Sequence, residues 1–230
     1  MYVLYIANRN YSSWSLRPWV LMGTLGIPFE ERIAPFGEGA SPHDFRKFSP
    51  NGKVPCLHDG ATVVWDSLAI VEYLAERHPG VWPSDAAARA FARSAAAEMH
   101  SGYSALRQTC SMTCGLRVRL HRIDADLHKD LQRLQELWRD GLSRFGGPFL
   151  GGAKFSAADA FFAPVAFRIQ TYGLELGQPA MDYAARLLAL PAMQNWYEAA
   201  LTETWRDSAH ERATQQVGTV LEDLRHTAGA

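Results

Sequence analysis

The sequence predicts an α/β unit of βαβ–ββα order over residues 1–79, followed by an all-helical unit over residues 85–230. Three observations carry this. Up to residue 79, short apolar runs of β-forming residues alternate with helical periodicity, and beyond it only helical periodicity remains. Asp59-Gly60 between two short apolar runs is a hairpin signal. Pro79, Gly80 and Pro83 then interrupt both patterns and mark a linker.

The elements follow in order. Residues 2–7 read as a first strand, because the run is apolar and lacks the basic leader and cleavage site of a signal peptide. A polar loop, Asn8 to Ser13, leads to a helix expected from Ser15 to Leu25, with Leu16, Trp19, Val20 and Met22 on one side. Pro18 is tolerated if it lies in the first turn, and Gly26 ends the helix. Residues 29–33 form a second strand, so strand, helix and strand make a right-handed parallel unit. Residues 54–58 and 62–65 flank the Asp59-Gly60 turn. A helix from Ser67 to about Arg77 buries Leu68, Ile70, Val71 and Leu74. Ser84 or Asp85 caps the next helix. Helices are expected at 85–120, 124–145, 156–172, 180–189 and 191–203, with Ala-rich faces at 86–97.

Composition narrows the function. The chain has 230 residues, 47% of them hydrophobic, enough for a real core, and a net charge of −1. That balance lacks the basic surplus of a general nucleic-acid binder. No apolar run reaches the length of a membrane span. The three cysteines, Cys56, Cys110 and Cys114, make neither a disulfide framework nor a metal site with the ligands around them. They are expected to be reduced and the protein cytoplasmic.

Four motifs occur in order. Ser12-Ser13-Trp14-Ser15 opens the first helix, and Asn51-Gly52-Lys53-Val54-Pro55 precedes the third strand. Asp66-Ser67-Leu68-Ala69-Ile70 opens the third helix. Ser156-Ala157-Ala158-Asp159 opens a buried helix of the second unit. With the βαβ–ββα order and the helical domain, they resemble the glutathione transferase family over nearly the whole chain. The serine-rich opening is most similar to the zeta and theta classes. The resemblance implies a thioredoxin-like N-terminal domain that binds glutathione, a helical domain that contributes the second-substrate pocket, a homodimer, and no metal. It also implies detoxifying transfer of glutathione to a small electrophile.

The residues fit that chemistry. Unpaired amides and the dipole at a helix N-terminus stabilise a thiolate. A free thiol has a pKa of about 8.5, and a hydroxyl donor at the sulfur favours ionisation. Ser12 is the donor that the resemblance implies, with Ser13 beside it, whereas Ser15 reads as the helix cap. All three also suit plain capping. The resemblance makes Val54-Pro55 a cis bond whose backbone pairs with the cysteinyl part of glutathione; an ordinary proline that starts a strand is the other reading. Asp66 and Ser67 suit the γ-glutamyl amine and carboxylate, and they also suit an N-cap. Lys53 suits the carboxylate at the glycine end. Ser156 and Asp159 form a capping box with a folding role.

Tyr11, Trp14, Tyr103, Arg107 and Cys110 are the candidates to wall the second substrate, the last three because their spacing puts them on one helix face. Tyr103 and Cys110 fit core packing as well. Arg117, Arg119, His121 and Arg122 read as a solvated helix end. Trp14 stands where the zeta class has cysteine, which counts against maleylacetoacetate isomerase activity. The loop from Pro35 to Phe48 does not show the polar residues usual in the family for the glycine end. The alternative readings are a glutathione-dependent isomerase or peroxidase and a non-catalytic ligand binder.

Overall fold

A computed structural model describes residues 1–37 and 42–226. The N-terminal unit contains β1 (Tyr2–Ile6), α1 (Ser13–Leu25), β2 (Phe29–Ile33), α2 (Pro42–Arg46), β3 (Cys56–Asp59), β4 (Thr62–Trp65) and α3 (Ser67–Ala75). Its sheet order is β2-β1-β3-β4. β1 runs parallel to β2, with Tyr2 opposite Phe29, and antiparallel to β3, with Leu4 opposite Leu57. The hairpin at Asp59-Gly60 forms as the turn signal predicts, with Gly60 at φ 58°. Leu4, Ile6, Leu57, Ile70, Val71 and Leu74 are buried, while Leu68 is only partly covered.

The second unit is built around a helix with almost no exposed face. It contains α4 (Ala86–Ser101), α5 (Ser104–Thr109), β5 (Leu116–Leu120), α6 (Ala125–Arg144), α7 (Ala157–Tyr172), α8 (Gln178–Leu188), α9 (Pro191–Thr202), α10 (Ser208–Val217) and β6 (Gly218–Asp223). α7 is buried along nearly its whole length and packs against α1, α4 and α8. Asp85 caps α4 by accepting from the Ala88 amide at 2.8 Å.

The structure corrects the expected helix over 85–120. It breaks after Ser101, where Tyr103 takes a left-handed φ of 54°. Gly102 permits the break, because a Cβ there would stand 2.8 Å from the Glu98 carbonyl oxygen. Residues 116–120 are a strand instead, paired antiparallel with β6. Arg117 and Arg119 therefore lie on β5 rather than on a helix end, and Arg117 reaches the Tyr197 hydroxyl at 3.2 Å. α1 starts at Ser13, two residues earlier than expected, with Ser12 as its N-cap. Pro18 thus lies beyond the first turn and forgoes an amide bond to the Trp14 carbonyl.

Asp159 secures the buried start of α7. It is fully buried, and it accepts from the amides of Leu150 and Ser156, both at 2.9 Å. The hydroxyls of Ser156 and Tyr183 donate to it as well, at 3.1 and 2.8 Å. Asp159→Ala leaves these donors buried without an acceptor and is expected to cost about 3–5 kcal/mol in denaturant unfolding. Asp159→Asn keeps one acceptor oxygen and should cost clearly less. Equal losses would mean that the cavity, not the hydrogen bonds, sets the cost.

Candidate active site

The β1–α1 loop is held by its own backbone. The amides of Tyr11 and Ser12 both donate to the Asn8 carbonyl, at 3.1 and 2.9 Å. The Ser12 hydroxyl donates to Ser15 Oγ at 2.7 Å, and that oxygen also accepts from the Ala7 amide at 3.3 Å. Ser15 therefore ties the helix to the end of β1 rather than capping it. Ser12 and Ser13 are both nearly buried. Among the described residues, nothing hydrogen-bonds to Ser13 Oγ.

A cavity of about 200 Å³ opens beside this helix start. Trp14, Asn51, Lys53, Val54, Pro55, Asp66 and Ser67 line it. The Val54–Pro55 bond is cis. Asp66 has a φ of 75°, and its carboxylate accepts from the Leu68 amide at 2.9 Å, capping α3. Ser67 is buried, and its hydroxyl has no partner. A buried hydroxyl without a partner is uncommon in a native fold, and here it borders an open cavity. Lys53 is exposed at the rim.

The ground behind Trp14 is cationic. Arg17 is almost fully buried between rings, its guanidinium 4.0 Å from the centre of Trp14 and 4.8 Å from that of Phe161. Its Nε and Nη1 are buried without hydrogen-bond partners. Burial, with Arg168 and Arg107 nearby, lowers its pKa, and Asp66 opposes this. Arg107 lies 5.5 Å from the Trp14 ring centre. Buried Arg168 gives its Nε to the Cys110 carbonyl at 2.7 Å, and burial brings its pKa down to about 10.

Residues 11–77 match the family described as glutathione S-transferase, N-terminal domain, and residues 117–199 match the corresponding C-terminal domain. A probable maleylacetoacetate isomerase of Vibrio cholerae is 30% identical over 207 residues, covering 83% of this chain and 92% of that protein. The chain belongs to the glutathione S-transferase family. Human glutathione S-transferase theta-1 is 28% identical over 207 residues, covering 80% of this chain and 78% of that one. A theta-class structure from Xanthomonas axonopodis pv. citri, with glutathione bound, is 26% identical with a TM-score of 0.63, covering 85% of this chain and 96% of that one.

Within this glutathione S-transferase fold, the five residues expected at the second substrate do not converge. Trp14 and Arg107 are neighbours, but Trp14 lines the same cavity as Lys53 and Ser67. Tyr103 is buried, its hydroxyl on Glu98 at 3.1 Å and its ring against Phe162. Cys110 is buried, and burial pushes its thiol up to about 12. The helix break at Gly102 removes the common face that their spacing implied. Tyr11 is buried beneath α10, stacked on His210 at 5.0 Å. Its hydroxyl donates to Glu211 at 2.6 Å and accepts from Arg225 at 3.1 Å.

A larger cavity, about 1040 Å³, lies between the end of β2, α2 and α10, with Phe36, Phe45, Phe48, Trp205, Arg206 and Arg212 in its walls. Asp66 and Ser67 border the smaller cavity and not this one, while Ser12 and Ser13 line neither. The smaller cavity is the better candidate because it meets the helix start and the orphan hydroxyl. Residues 38–41 of the Pro35–Phe48 loop lie outside the described residues. The sequence reading missed Asn51 as a lining residue and His100 behind Trp14. The first stood inside a quoted motif, whereas His100 looked like an ordinary helix residue.

Arg225 fastens the C-terminal segment over Tyr11. It pairs with Glu211 through both terminal nitrogens, at 2.5 and 3.0 Å, and with Asp223 at 2.8 Å. The Arg225 hydrogen bond holds the Asp223 carboxyl below its usual value. For Glu211, burial pushes upward, but hydrogen bonds from Arg225 and Tyr11 outweigh it and the net is down. Stability from lowered carboxylates is complete above the unfolded values near pH 4 and is lost as pH falls through the folded ones. Arg225→Ala is therefore expected to cost about 2–4 kcal/mol at pH 7, with a smaller cost below pH 4, in unfolding measured at both. A cost that does not change with pH would show that packing, not charge, makes the contribution.

Proposed function

We propose that this chain is a serine-type glutathione transferase, zeta- or theta-like, which ionises the glutathione thiol and passes it to a small, largely apolar electrophile. One observation carries the reading. Lys53, Val54, Pro55, Asp66 and Ser67, separately implied by resemblance to hold glutathione, line one cavity at the start of α1. In this reading residues 1–79 bind glutathione, and residues 85–230 supply the second-substrate side and half of a cytoplasmic homodimer. Asp66 takes the γ-glutamyl ammonium, Ser67 the adjoining carboxylate, and Lys53 the carboxylate at the glycine end. The Val54 backbone pairs with the cysteinyl unit like an added strand.

The sulfur then lies toward the helix start, where Ser12 donates to the thiolate by rotating its hydroxyl away from Ser15. Ser13 is the second candidate, because its hydroxyl has no bond to give up. A hydrogen bond to a charged group is worth about 1.5–3 kcal/mol, which corresponds to about 1–2 pKa units of the bound thiol. Ser12→Ala should raise the pH at which thiolate absorbance appears by that amount and slow turnover, with little change in glutathione affinity. If Ser13→Ala has that effect instead, the donor is Ser13; if neither does, the serine mechanism fails. Ser67→Ala should weaken glutathione binding about tenfold with less effect on turnover of the bound complex, and an unchanged affinity removes Ser67 from the site.

A glutathione-dependent isomerase is the second reading, favoured by the name of the Vibrio cholerae relative and opposed by Trp14. Assay of chloro-nitro aromatics, peroxides and maleylacetoacetate with glutathione separates the two readings: the transferase reading expects conjugation to exceed isomerisation, and the reverse overturns it. Light scattering over a range of concentrations should give twice the chain mass of 25.6 kDa, and a persistent monomer counts against the dimer.

A further inference from the structure

His100 lies in the last turn of α4 beside the candidate glutathione cavity, and the proposed transferase chemistry leaves it unused. Its Nε2 lies 3.6 Å from Asp66 Oδ1, too far for a hydrogen bond. Its Nδ1 is buried without a partner. The ring meets Trp14 edge-on at 5.2 Å, so it stands against two residues that line the cavity. Phe161 of α7 closes its far side at 6.2 Å. The charged groups facing it are Asp66 at the start of α3, Arg17 of α1 and Arg107 of α5; Arg107 also donates to the His100 carbonyl at 3.0 Å.

We propose that His100 is a ligand-binding residue: with Asp66 it holds the γ-glutamyl ammonium while its imidazole is neutral, and it repels that ammonium once protonated. This rests on the cavity being the glutathione site. In the tautomer with a bare Nε2, the imidazole and the Asp66 carboxylate are two acceptors 3.6 Å apart, and an ammonium has donors for both. A protonated imidazole attracts the Asp66 charge in its place and puts a like charge where the ammonium must sit. Burial, then the Arg17 and Arg107 charges, push the His100 pKa down against the opposing pull of Asp66, and the net is below 6.5. The imidazole is therefore neutral at pH 7, and binding weakens as pH falls below that value. By linkage, binding at lower pH releases a proton.

S-methylglutathione tests this, because it has no thiol to titrate; between about pH 5.5 and 7.5 its carboxylates stay ionised, and any loss of its ammonium proton near pH 7.5 weakens binding in the direction opposite to the one expected. Calorimetry should show its Kd rising about three- to tenfold from pH 7.5 to pH 5.5, with proton release at the lower pH seen in buffers of different ionisation enthalpy. His100→Gln keeps a hydrogen-bonding group that does not titrate, and it should flatten both signals while leaving the melting midpoint at pH 7.5 close to that of the wild type. His100→Asn is the second variant if the glutamine form does not fold. A flat wild-type profile, or a variant that keeps the wild-type slope and proton release, overturns the role of His100. Absence of binding at every pH instead removes the glutathione reading itself, and the inference with it.

Discussion

The organisation of this molecule depends on burying α7 from almost every side. A helix with no wet face must have its amino-terminal amides and their neighbours satisfied from within. Asp159 does this with one carboxylate that gathers donors from Leu150, Ser156 and Tyr183. Burial pushes its pKa up, and those hydrogen bonds pull it back. Once α7 is placed, its outer surfaces position α1, α4 and α8, and α1 carries the serine pair and Trp14 at its open end. The candidate site is thus positioned by a helix that does not line it.

The contact between α1 and α7 also explains the charge behind the cavity. Arg17 comes from α1 and lies on Phe161 of α7, with Trp14 on the other side. Two aromatic faces replace part of the lost hydration, yet nitrogens remain without hydrogen bonds. Arg107 and Arg168 add like charge nearby, and Asp66 is the carboxylate that faces the group from the cavity side. A site with this balance favours a bound anion beside the start of α3, where Ser67 also lacks a partner. In the proposed reading, the γ-glutamyl carboxylate meets that need and the ammonium beside it keeps Asp66 engaged.

The loop before Ser12 is clamped from the far end of the chain. Asn10 gives its side-chain amide to the Ala200 carbonyl at 2.5 Å, and Trp196 donates to the Arg9 carbonyl at 3.0 Å. Glu203 accepts from the Arg9 amide at 2.9 Å. Arg225 completes the clamp over Tyr11. Backbone groups that a surface loop would leave to water are here bonded by Trp196 of α9, by Glu203 just after it and by the Cys114 amide. That gives the helix start a defined position relative to the helical unit.

What was legible in the sequence was local. Hydrophobic period, the Asp59-Gly60 turn, the Asp85 cap and the Ser156–Asp159 box each act within a few residues, so the strands of the first sheet and most helices could be read directly. The motif residues of the cavity were legible too, since Lys53, Val54 and Pro55 come on one turn and Asp66 and Ser67 on one helix start. Tertiary structure decided the rest. Leu116–Leu120 becomes a strand only because β6, far along the chain, pairs with it; its own pattern fitted a helix as well. Tyr103 and Cys110 share a helical spacing, but the backbone turns left-handed at Tyr103, and which way the chain leaves Gly102 depends on packing against α6 and α7. His100 looked like one more residue of an Ala-rich helix until folding set it 3.6 Å from Asp66. Charge and burial belong to neighbours in space, and those neighbours are not written at any fixed spacing in the chain.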